Sequence, residues 1–554
     1  MGRSPSDVYP SIPHLDSSLF QLSETGLSEQ QYRAAWSQFN RYILKHRKYF
    51  MGYQANQQLD YRNTLSPYLN LHVNNIGDPF QQGNFMLNSK ILERAVLDYF
   101  ARLWHADWPH LEDRTRFTPE EIGESYWGYI VSMGGTEGNL YGLRNARDYL
   151  AGKLLASDIP ADAAETEERV VPVRSKLGQG YFVKAEDEGR LYAERDARAP
   201  ETERFDNPNA YTPVIFYSQD THYSIDKIKD LLLIPTFAEI GNARYPNQSP
   251  LGGNWPDKVP SNEDGSVNLD ALYLLAEFFV QRGYPIIVNF NYGTTFKGAY
   301  DNVKAAVERL IPLLQKHGLY HRVLEVEWNG KIIHSKRTGF WFHVDGALGA
   351  SYTPFLELAR QQGRFKGDIP VFDFRLDIQS IAASGHKEIG APWPCGIYMT
   401  RTKYLLDFLE VGYIGAQDST LSGSRNGFSA LILWDYFARH SYDALIEKAL
   451  RLEKLADYAY RKLKQLEGEL GFNLHVGRSP LALTVRFRRP NARIVSQFSL
   501  STEFLNGVYY AHIFLMEHVT AQLVDTLIQA LRQPGAFGPD ADQGFHLHEG
   551  SGFR

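Results

Sequence analysis

The sequence predicts an α/β protein with a mostly parallel sheet in a large domain and a small α+β C-terminal domain. Strand-like and helical segments alternate through the middle of the chain, a pattern typical of parallel strands joined by helices. Residues 442–466 form a long amphipathic pattern, and strand-like segments follow at 481–490 and 507–516. A chain of 554 residues is also too long for one simple core, which favours more than one domain.

The elements can be justified in chain order. Residues 1–70 are an aromatic-rich N-terminal segment, in which apolar side chains at helical spacing predict an amphipathic helix over 27–50. The large domain, residues 71–435, carries short runs rich in β-branched and aromatic residues, each followed by a helical pattern. The predicted strand–helix pairs are 126–133 with 139–155, 212–218 with 226–233, 284–293 with 302–318, and 339–347 with 354–363.

Two segments depart from this alternation. Residues 155–210 are charged and contain few large apolar side chains, which predicts a surface insertion. After the small domain, 436–535, residues 536–554 form a tail. His546 and His548 lie in that tail, but two histidines without a third ligand do not make a metal site, so no metal is predicted.

Composition narrows the class of partner and the compartment. The net charge of −6 provides no basic surface for nucleic acid or an anionic membrane, so neither is predicted as a partner. The sequence has no run of eighteen apolar residues, and no membrane-spanning segment is predicted. A single cysteine, Cys395, cannot form an internal disulfide and fits a reducing compartment, which predicts a cytoplasmic protein.

A glycine-rich turn follows the first strand of the large domain. Gly134 and Gly135 allow close approach of the backbone, and Thr136 opens the following helix. Backbone N–H groups and a hydroxyl at a helix N-terminus can hold a phosphate. The turn matches neither the Walker nor the dinucleotide-binding pattern, and glycines at such turns are common, so this feature alone is weak.

Three other strand ends carry reactive side chains. Asp345 ends an apolar strand, His222 follows another, and Lys387 follows the strand-like run Ile381–Ala383. A lysine at such a position can form a Schiff base with an aldehyde cofactor when its pKa is lowered. Pyridoxal 5'-phosphate (PLP) requires that lysine, a carboxylate at its ring nitrogen, a phosphate site and a flat group over its ring. Each residue alone is ordinary, but together they predict a PLP site.

Several motifs then show a resemblance to a known family. The sequence resembles the PLP-dependent group II amino-acid decarboxylases of fold type I, in the histidine decarboxylase and plant serine decarboxylase branch. The resemblance covers residues from about 70 to 530 and implies an aspartate aminotransferase-like fold. The matching segments are "NNIGDPF", "GGTEGNLYGLRNAR", "THYSIDK", "NYGTTFKGAYDNV", "HVDGALGASYTPF", "SGHKEIGAPWPCGIYMTR", "DSTLSGSRNGFSALILW" and "AHIFLMEHVT".

The resemblance implies a role for each matching residue. Lys387 would form the Schiff base, Asp345 would keep the ring nitrogen protonated, His222 would stack on the ring, and Ala347 would lie under it. The phosphate would be contacted by Gly134, Gly135, Thr136, Ser384 and His386, and from the neighbouring subunit by Ser422 and Ser424. The substrate would be bordered by Asn74, Asp78 and Phe80, and Tyr413 would supply a proton to the reacting carbon.

The predicted function is α-decarboxylation of an L-amino acid to CO2 and a primary amine, in a homodimer with shared active sites. Histidine or serine is the first predicted substrate, followed by aromatic and acidic amino acids. One alternative is oxidative deamination coupled to decarboxylation, or transamination, at the same site. Another is a non-catalytic PLP-binding assembly protein, which the intact Lys387, Asp345 and His222 argue against.

Overall fold

The computed structural model describes residues 15–22, 24–109, 116–158, 207–328, 331–406 and 409–538. Most of the predicted insertion at 155–210 lies outside the described residues, as does the tail from residue 539, with His546 and His548. The chain divides into two compact units. The larger unit contains the described residues of 58–453 and 478–482, and the smaller unit contains those of 1–57, 454–477 and 483–554.

The strands alternate with helices as predicted through the large unit. The strands are β1 (Tyr126–Val131), β2 (Val214–Phe216), β3 (Ile286–Asn291), β4 (Arg322–Trp328), β5 (Lys331–Arg337), β6 (Phe340–Asp345), β7 (Ser380–Ser384), β8 (Gly396–Arg401), β9 (Leu409–Val411), β10 (Ala416–Asp418), β11 (Thr484–Arg488), β12 (Ser501–Leu505) and β13 (Val508–Phe514). The helices are α1 (Glu29–Arg47), α2 (Arg62–Leu65), α3 (Lys90–Leu103), α4 (Pro119–Glu124), α5 (Gly135–Leu150), α6 (Ser224–Leu232), α7 (Phe237–Arg244), α8 (Leu269–Val280), α9 (Val303–Lys316), α10 (Thr353–Gln361), α11 (Gly427–Arg439), α12 (Tyr442–Leu470), α13 (Ala492–Phe498) and α14 (Ala521–Leu531).

The central sheet of the large unit has six strands in the order β1-β8-β7-β6-β3-β2. The pairs β2–β3, β3–β6 and β6–β7 are parallel, whereas β8 is antiparallel to both of its neighbours. Strands β1, β3, β6 and β7 are buried along their whole length, as expected for a sheet covered by helices on both faces. The predicted α/β class with a mostly parallel sheet is confirmed.

Helix α5 lies unusually close to the centre of the sheet because of its glycines. A Cβ atom added to Gly142 would lie 2.6 Å from the ring of His343 in β6, and one added to Gly138 would lie 2.8 Å from the Cβ of Ala382 in β7. Both distances are shorter than a normal contact between side chains. The N-terminus of α5 is therefore held directly at the carboxyl ends of β6 and β7.

The hairpin of β4 and β5 was not among the predicted elements. Its two strands pair antiparallel over seven residues each. The sequence between them contains the dipeptide Asn329-Gly330, a common hairpin signal that could have predicted the pair.

The smaller unit contains an antiparallel sheet in the order β11-β13-β12. Residues before position 58 belong to this unit because the backbone of Met51 pairs with it: the Met51 N–H donates to the Phe498 carbonyl, and the Met51 carbonyl accepts from Phe514 N–H. The two units therefore divide at 57/58 and 453/454, whereas the sequence analysis expected boundaries at 70/71 and 435/436. Within the described ranges, we find no helix with the length and apolar character required to cross a bilayer.

Candidate active site

Eight of the predicted site residues line one cavity of about 230 Å³ in the large unit. The cavity lies at the carboxyl ends of β3, β6 and β7, where open α/β sheets bind their ligands. The eight residues are Gly135, Thr136, His222, Asp345, Ala347, Ser384, His386 and Lys387.

The turn between β1 and α5 is closed by a side chain whose role the sequence analysis did not identify. The carboxylate of Glu137 accepts hydrogen bonds from the backbone N–H groups of Ser132 and Met133, both at 2.7 Å. Burial raises the pKa of Glu137, and these two donors act in the opposite direction. Glu137 thus holds the backbone of the turn in place through these two hydrogen bonds.

The two glycines of this turn allow close contacts that any larger residue would prevent. Gly134 has a φ of +74°, which favours glycine. A Cβ there would lie 2.4 Å from the ring of His386, so Gly134 packs directly against this cavity residue. The N–H of Gly135 donates to Ser384 Oγ at 3.0 Å, and a Cβ on Gly135 would lie 2.8 Å from that oxygen and 2.9 Å from Ala347 Cβ. The turn, Ser384 and Ala347 therefore meet at one point.

Asp345 ends β6 with both carboxylate oxygens engaged. Its Oδ2 accepts from Asn139 Nδ2 at 2.8 Å, and its Oδ1 accepts from the N–H of Ala347 at 3.1 Å. The residue is 8% exposed, so the carboxylate is a nearly buried charge. Each oxygen keeps a second lone pair that can face a ligand in the cavity.

Lys387 lies at the same cavity on the turn after β7 and is half-buried. Loss of solvation lowers the pKa of its ammonium group, and the negative charge of Asp345 acts in the opposite direction. A lowered pKa increases the fraction of neutral amine, which is the form that attacks a carbonyl.

The ring of His222 is fixed by Ser224, a cavity residue that the sequence analysis did not single out. His222 Nδ1 lies 2.7 Å from Ser224 Oγ and accepts from the Ser224 N–H at 3.3 Å. Because Nδ1 accepts from a backbone N–H, the neutral ring carries its proton on Nε2. Burial lowers the pKa of His222, with Asp345 raising it and Lys387 lowering it further, which favours this neutral ring.

His386 is attached to the turn that carries Cys395. Its Nδ1 lies 3.1 Å from the Cys395 carbonyl oxygen and 3.4 Å from the Cys395 nitrogen. Burial lowers the pKa of His386 and raises the pKa of the Cys395 thiol to about 12. The thiol is therefore protonated at neutral pH and unsuited to act as a nucleophile.

The remaining predicted residues do not line this cavity. Asn74 Nδ2 donates to Ser424 Oγ at 3.0 Å, and Asp78 accepts from the N–H of Phe80 at 2.8 Å, with burial raising the pKa of Asp78. The ring of Phe80 packs against the rings of Tyr126 and Trp127. Gly134 is also absent from the lining but lies beside it, against the ring of His386, and the other predicted residues outside the cavity are Asn74, Asp78, Phe80, Tyr413, Ser422 and Ser424.

Arg425 contacts the segment that carries Asn74, Asp78 and Phe80. Its fully buried guanidinium forms an ion pair with Glu93 and donates to the carbonyls of Gly77 at 3.0 Å and Ile130 at 3.1 Å. Asn75 Nδ2 also donates to Glu93, at 2.8 Å. Arg425 thus joins the segment around residue 77 to strand β1. It lies within a motif that the sequence analysis quoted, but its role could be identified only from these contacts.

The residues of the cavity fit PLP. They combine one amine, one buried carboxylate, two imidazoles whose pKa is lowered by burial, and two hydroxyls beside the N-terminus of α5. Because Gly135 has no side chain, the backbone at the N-terminus of α5 packs directly against Ser384 and Ala347 in the cavity wall, and a helix N-terminus is a suitable place for a phosphate. A side chain at Gly134 or Gly135 would collide with neighbouring atoms, so packing as well as the shape of the turn requires glycine at both positions.

Comparison with known proteins identifies the family. Residues 176–477 match the pyridoxal-dependent decarboxylase conserved domain. A histidine decarboxylase from Solanum lycopersicum is 27% identical over 90% of this chain and 87% of its own length. A serine decarboxylase 2 from Oryza sativa subsp. japonica is 28% identical over 88% of this chain and 76% of its own length.

A solved structure is more similar still. The L-methionine decarboxylase from Streptomyces sp. 590, complexed with L-methionine methyl ester, is 40% identical, covers 95% of this chain and 99% of its own, and superposes with a TM-score of 0.81. The same enzyme in its internal aldimine form has a TM-score of 0.82. From these matches, together with the lysine, carboxylate and imidazole at one cavity, the chain belongs to the pyridoxal-dependent decarboxylase family, as a PLP-dependent group II amino-acid decarboxylase of fold type I.

Proposed function

We propose that this decarboxylase acts on an L-amino acid with an uncharged side chain, with L-methionine as the first candidate. The similarity to the methionine decarboxylase, 40% over 95% of the chain, carries this proposal, since the histidine and serine decarboxylases reach 27% and 28%. Sequence analysis alone placed histidine and serine first, and both stay as competing substrates.

The charge of the cavity supports an uncharged substrate side chain. Among the described residues that line it, Asp345 and Lys387 are the only Asp, Glu, Lys or Arg side chains. Both are assigned to the cofactor in the proposal, so neither is available to neutralise a charged substrate side chain. Because an unpaired charge is costly to bury, an acidic substrate is disfavoured.

We assign the amine of Lys387 to the covalent bond with the cofactor aldehyde, because its pKa is lowered by burial. When bound, PLP supplies an electron sink for the electrons of the broken bond between Cα and the carboxylate. Asp345 would hold a proton on the ring nitrogen, and its two hydrogen bonds orient the carboxylate. Asp345 acts on charge that develops as CO2 leaves, so its effect falls on the rate of the chemical step.

The other cavity residues are assigned to binding. The neutral ring of His222 would stack on one face of the cofactor ring, and Ala347 would provide a small side chain on the other face. The phosphate would be held at the N-terminus of α5, where backbone N–H groups and the helix dipole favour an anion. The residues assigned to the phosphate site are Gly134, Gly135, Thr136, Ser384 and His386.

The residues outside the cavity are assigned to a second copy of the chain. Tyr413 is 85% exposed on the segment between β9 and β10, a position from which it can reach a partner. We propose a homodimer in which Asn74, Asp78, Phe80, Tyr413, Ser422 and Ser424 border the cavity of the neighbouring subunit. The cytoplasmic location stays a prediction from composition.

Product analysis tests the proposed reaction and substrate together. Purified PLP-loaded protein would be supplied in parallel with L-methionine, L-histidine and L-serine, with Lys387→Ala as the inactive control, and CO2 and the organic product would be identified. CO2 and the matching primary amine, with the largest kcat/KM on methionine, are expected. A larger kcat/KM on histidine or serine would overturn the substrate. CO2 with an aldehyde and consumption of O2 would favour oxidative deamination, and no CO2 from a broader amino-acid panel would favour the non-catalytic alternative.

A further inference from the structure

A row of hydrogen-bonded side chains runs from Asn139, which lines the cavity, into β6 and β7 beneath Asp345. Trp341 Nε1 donates to Ser380 Oγ at 2.9 Å, and that oxygen lies 2.8 Å from His343 Nδ1. His343 Nε2 lies 3.0 Å from Asn139 Oδ1, and Asn139 Nδ2 donates to Asp345 Oδ2 at 2.8 Å. Trp341, His343, Ser380 and Asn139 are each at most 1% exposed, so bulk water does not compete for these bonds.

The two ends of the row determine the direction of every bond. An indole N–H can only donate and a carboxylate can only accept. Because Asn139 Nδ2 donates to Asp345, its Oδ1 faces His343 Nε2 and accepts from it. A neutral ring then accepts at Nδ1 from Ser380 Oγ, which accepts from Trp341. With Nδ1 as the acceptor, His343 carries its proton on Nε2 and donates to Asn139 Oδ1, which leaves the Asn139 amide N–H facing Asp345.

The reverse order is unfavourable at the last bond. If His343 carried its proton on Nδ1 alone, the Asn139 amide would have to rotate to donate to Nε2. Its oxygen would then face the carboxylate of Asp345 with two acceptors in contact. Burial lowers the pKa of His343 to about 4, so the doubly protonated ring is also disfavoured at neutral pH.

Packing holds the ring of His343 in this position. His343 pairs with Ser380 across β6 and β7, and with Asn289 across β3 and β6. A Cβ on Gly142 would lie 2.6 Å from the ring, so α5 covers it closely, and Asn139 lies one turn earlier on the same helix. The ring can neither rotate away from Asn139 nor move toward solvent.

We propose that His343 is a positioning residue for Asp345, acting through Asn139. It fixes the Asn139 amide so that an N–H always faces Oδ2, and this contact keeps the carboxylate aimed at the ring nitrogen of the cofactor. The inference rests on the proposed role of Asp345 at that nitrogen. His343 itself lies outside the cavity lining and touches no reacting atom.

A matched pair of variants separates positioning from packing. His343→Gln keeps a donor near the position of Nε2, whereas His343→Leu fills similar space without a donor. For each variant we would measure the dissociation constant of PLP for the apoprotein, the near-UV and visible absorption of bound PLP, and the thermal unfolding of the apoprotein. In His343→Leu the Asn139 amide is no longer held in place, and loss of its hydrogen bond to Asp345 predicts a dissociation constant raised about tenfold or more, with a changed spectrum. His343→Gln is expected to restore both.

Three results would decide against the positioning role. A PLP dissociation constant and spectrum unchanged in folded His343→Leu would overturn it, and so would a His343→Gln variant as impaired as His343→Leu. If His343→Leu does not fold, Ser380→Ala, which removes the donor to Nδ1 and the acceptor of Trp341 Nε1, must move the spectrum in the direction of Asp345→Asn, and an unchanged spectrum in Ser380→Ala would overturn the proposal. Asp345→Asn is the reference variant. If it changes neither the spectrum nor the PLP affinity, the role assigned to Asp345 fails. If Asp345→Asn changes them and the His343 and Ser380 variants do not, only the role of His343 is rejected.

Discussion

Glu388 and Lys448 form a buried ion pair directly beside the lysine assigned to the cofactor. Lys448 Nζ lies 2.8 Å from Glu388 Oε1, and the two side chains are 7% and 6% exposed. The same ammonium donates to the Glu388 carbonyl at 3.2 Å and to Tyr436 Oη at 2.7 Å. Because Glu388 follows Lys387 in the chain, α12 and α11 together anchor the turn that presents Lys387.

Breaking this pair should destabilise the large unit strongly. Lys448→Met leaves the Glu388 carboxylate buried without its cation, which is expected to lower the free energy of unfolding by about 3–5 kcal/mol. Chemical denaturation followed by tryptophan fluorescence would measure the change. The double variant Glu388→Met with Lys448→Met should recover part of the loss, because it removes both charges.

Lys464→Met provides the control for this prediction. Lys464 pairs with Glu467 at 2.7 Å but is 42% exposed, so its removal should cost about 1 kcal/mol or less. If Lys448→Met and Lys464→Met lower the free energy of unfolding equally, burial of the pair beside Lys387 does not add to its contribution to stability.

Gly135→Ala should weaken PLP binding. Its Cβ would lie 2.8 Å from Ser384 Oγ and 2.9 Å from Ala347 Cβ, so the turn or these neighbours must move. We expect the dissociation constant of PLP to rise by about tenfold or more, measured by fluorescence titration of the apoprotein, in line with overpacking costs of about 1–3 kcal/mol.

Gly468→Ala is the matched control because a Cβ there meets no atom within 4 Å on the exposed side of α12. Alanine in a helix is expected to stabilise by about 0.5–1 kcal/mol and to leave PLP affinity unchanged. An unaltered PLP affinity in Gly135→Ala would contradict the close-packed turn.

Acid should destabilise the protein partly through His343. Its pKa is lowered from 6.5 to about 4 in the folded state, so the unfolded chain binds a proton first as the pH falls. The contribution of His343 is fully present above pH 6.5 and is lost progressively as the pH falls to about 4, amounting to about 3 kcal/mol. His343→Gln should reduce this pH dependence, measured as the free energy of unfolding at several pH values.

The free energy of unfolding of His343→Gln must be compared with that of the parent at each pH, because Asp301 changes the stability of both proteins in the opposite direction over the same pH range. Burial raises the pKa of Asp301 from 3.8 to about 7, so its contribution is present at low pH and declines as the pH rises toward 7. A difference between His343→Gln and the parent that does not vary between pH 4 and 6.5 would contradict the prediction.

Mixed dimers should reveal whether Tyr413 serves the neighbouring subunit. Lys387→Ala and Tyr413→Phe homodimers are each expected to be impaired, Tyr413→Phe by about 10²–10⁴-fold in kcat if it transfers a proton. After the two are unfolded, mixed and refolded together, a dimer with one of each contains one site with both residues intact. Random pairing then predicts recovery of about a quarter of parental activity.

The same mixture distinguishes the alternatives. No recovery beyond the separate homodimers would mean that Tyr413 acts within its own subunit or in no site at all. Because Tyr413 is 85% exposed, Tyr413→Phe should leave the free energy of unfolding within about 0.5 kcal/mol of the parent, and a larger loss would indicate a packing role.

The sequence alone was sufficient for the fold class and the cofactor because both depend on local patterns. Strand β3 and helix α9 lie within two residues of the boundaries predicted from periodicity. Lys387, Asp345 and His222 were identified because each follows an apolar strand, and the carboxyl ends of parallel strands meet at one edge of the sheet.

Only the tertiary structure decided how the site is supported and which residues share it. Asn139 reaches Asp345 because Gly138 and Gly142 bring α5 against the sheet, and His343 meets Ser380 because of the register of β6 and β7. Asn74 and Ser424, 350 positions apart, pair outside the cavity. Such contacts join residues distant in the chain through packing and register, and no local pattern of side chains encodes them.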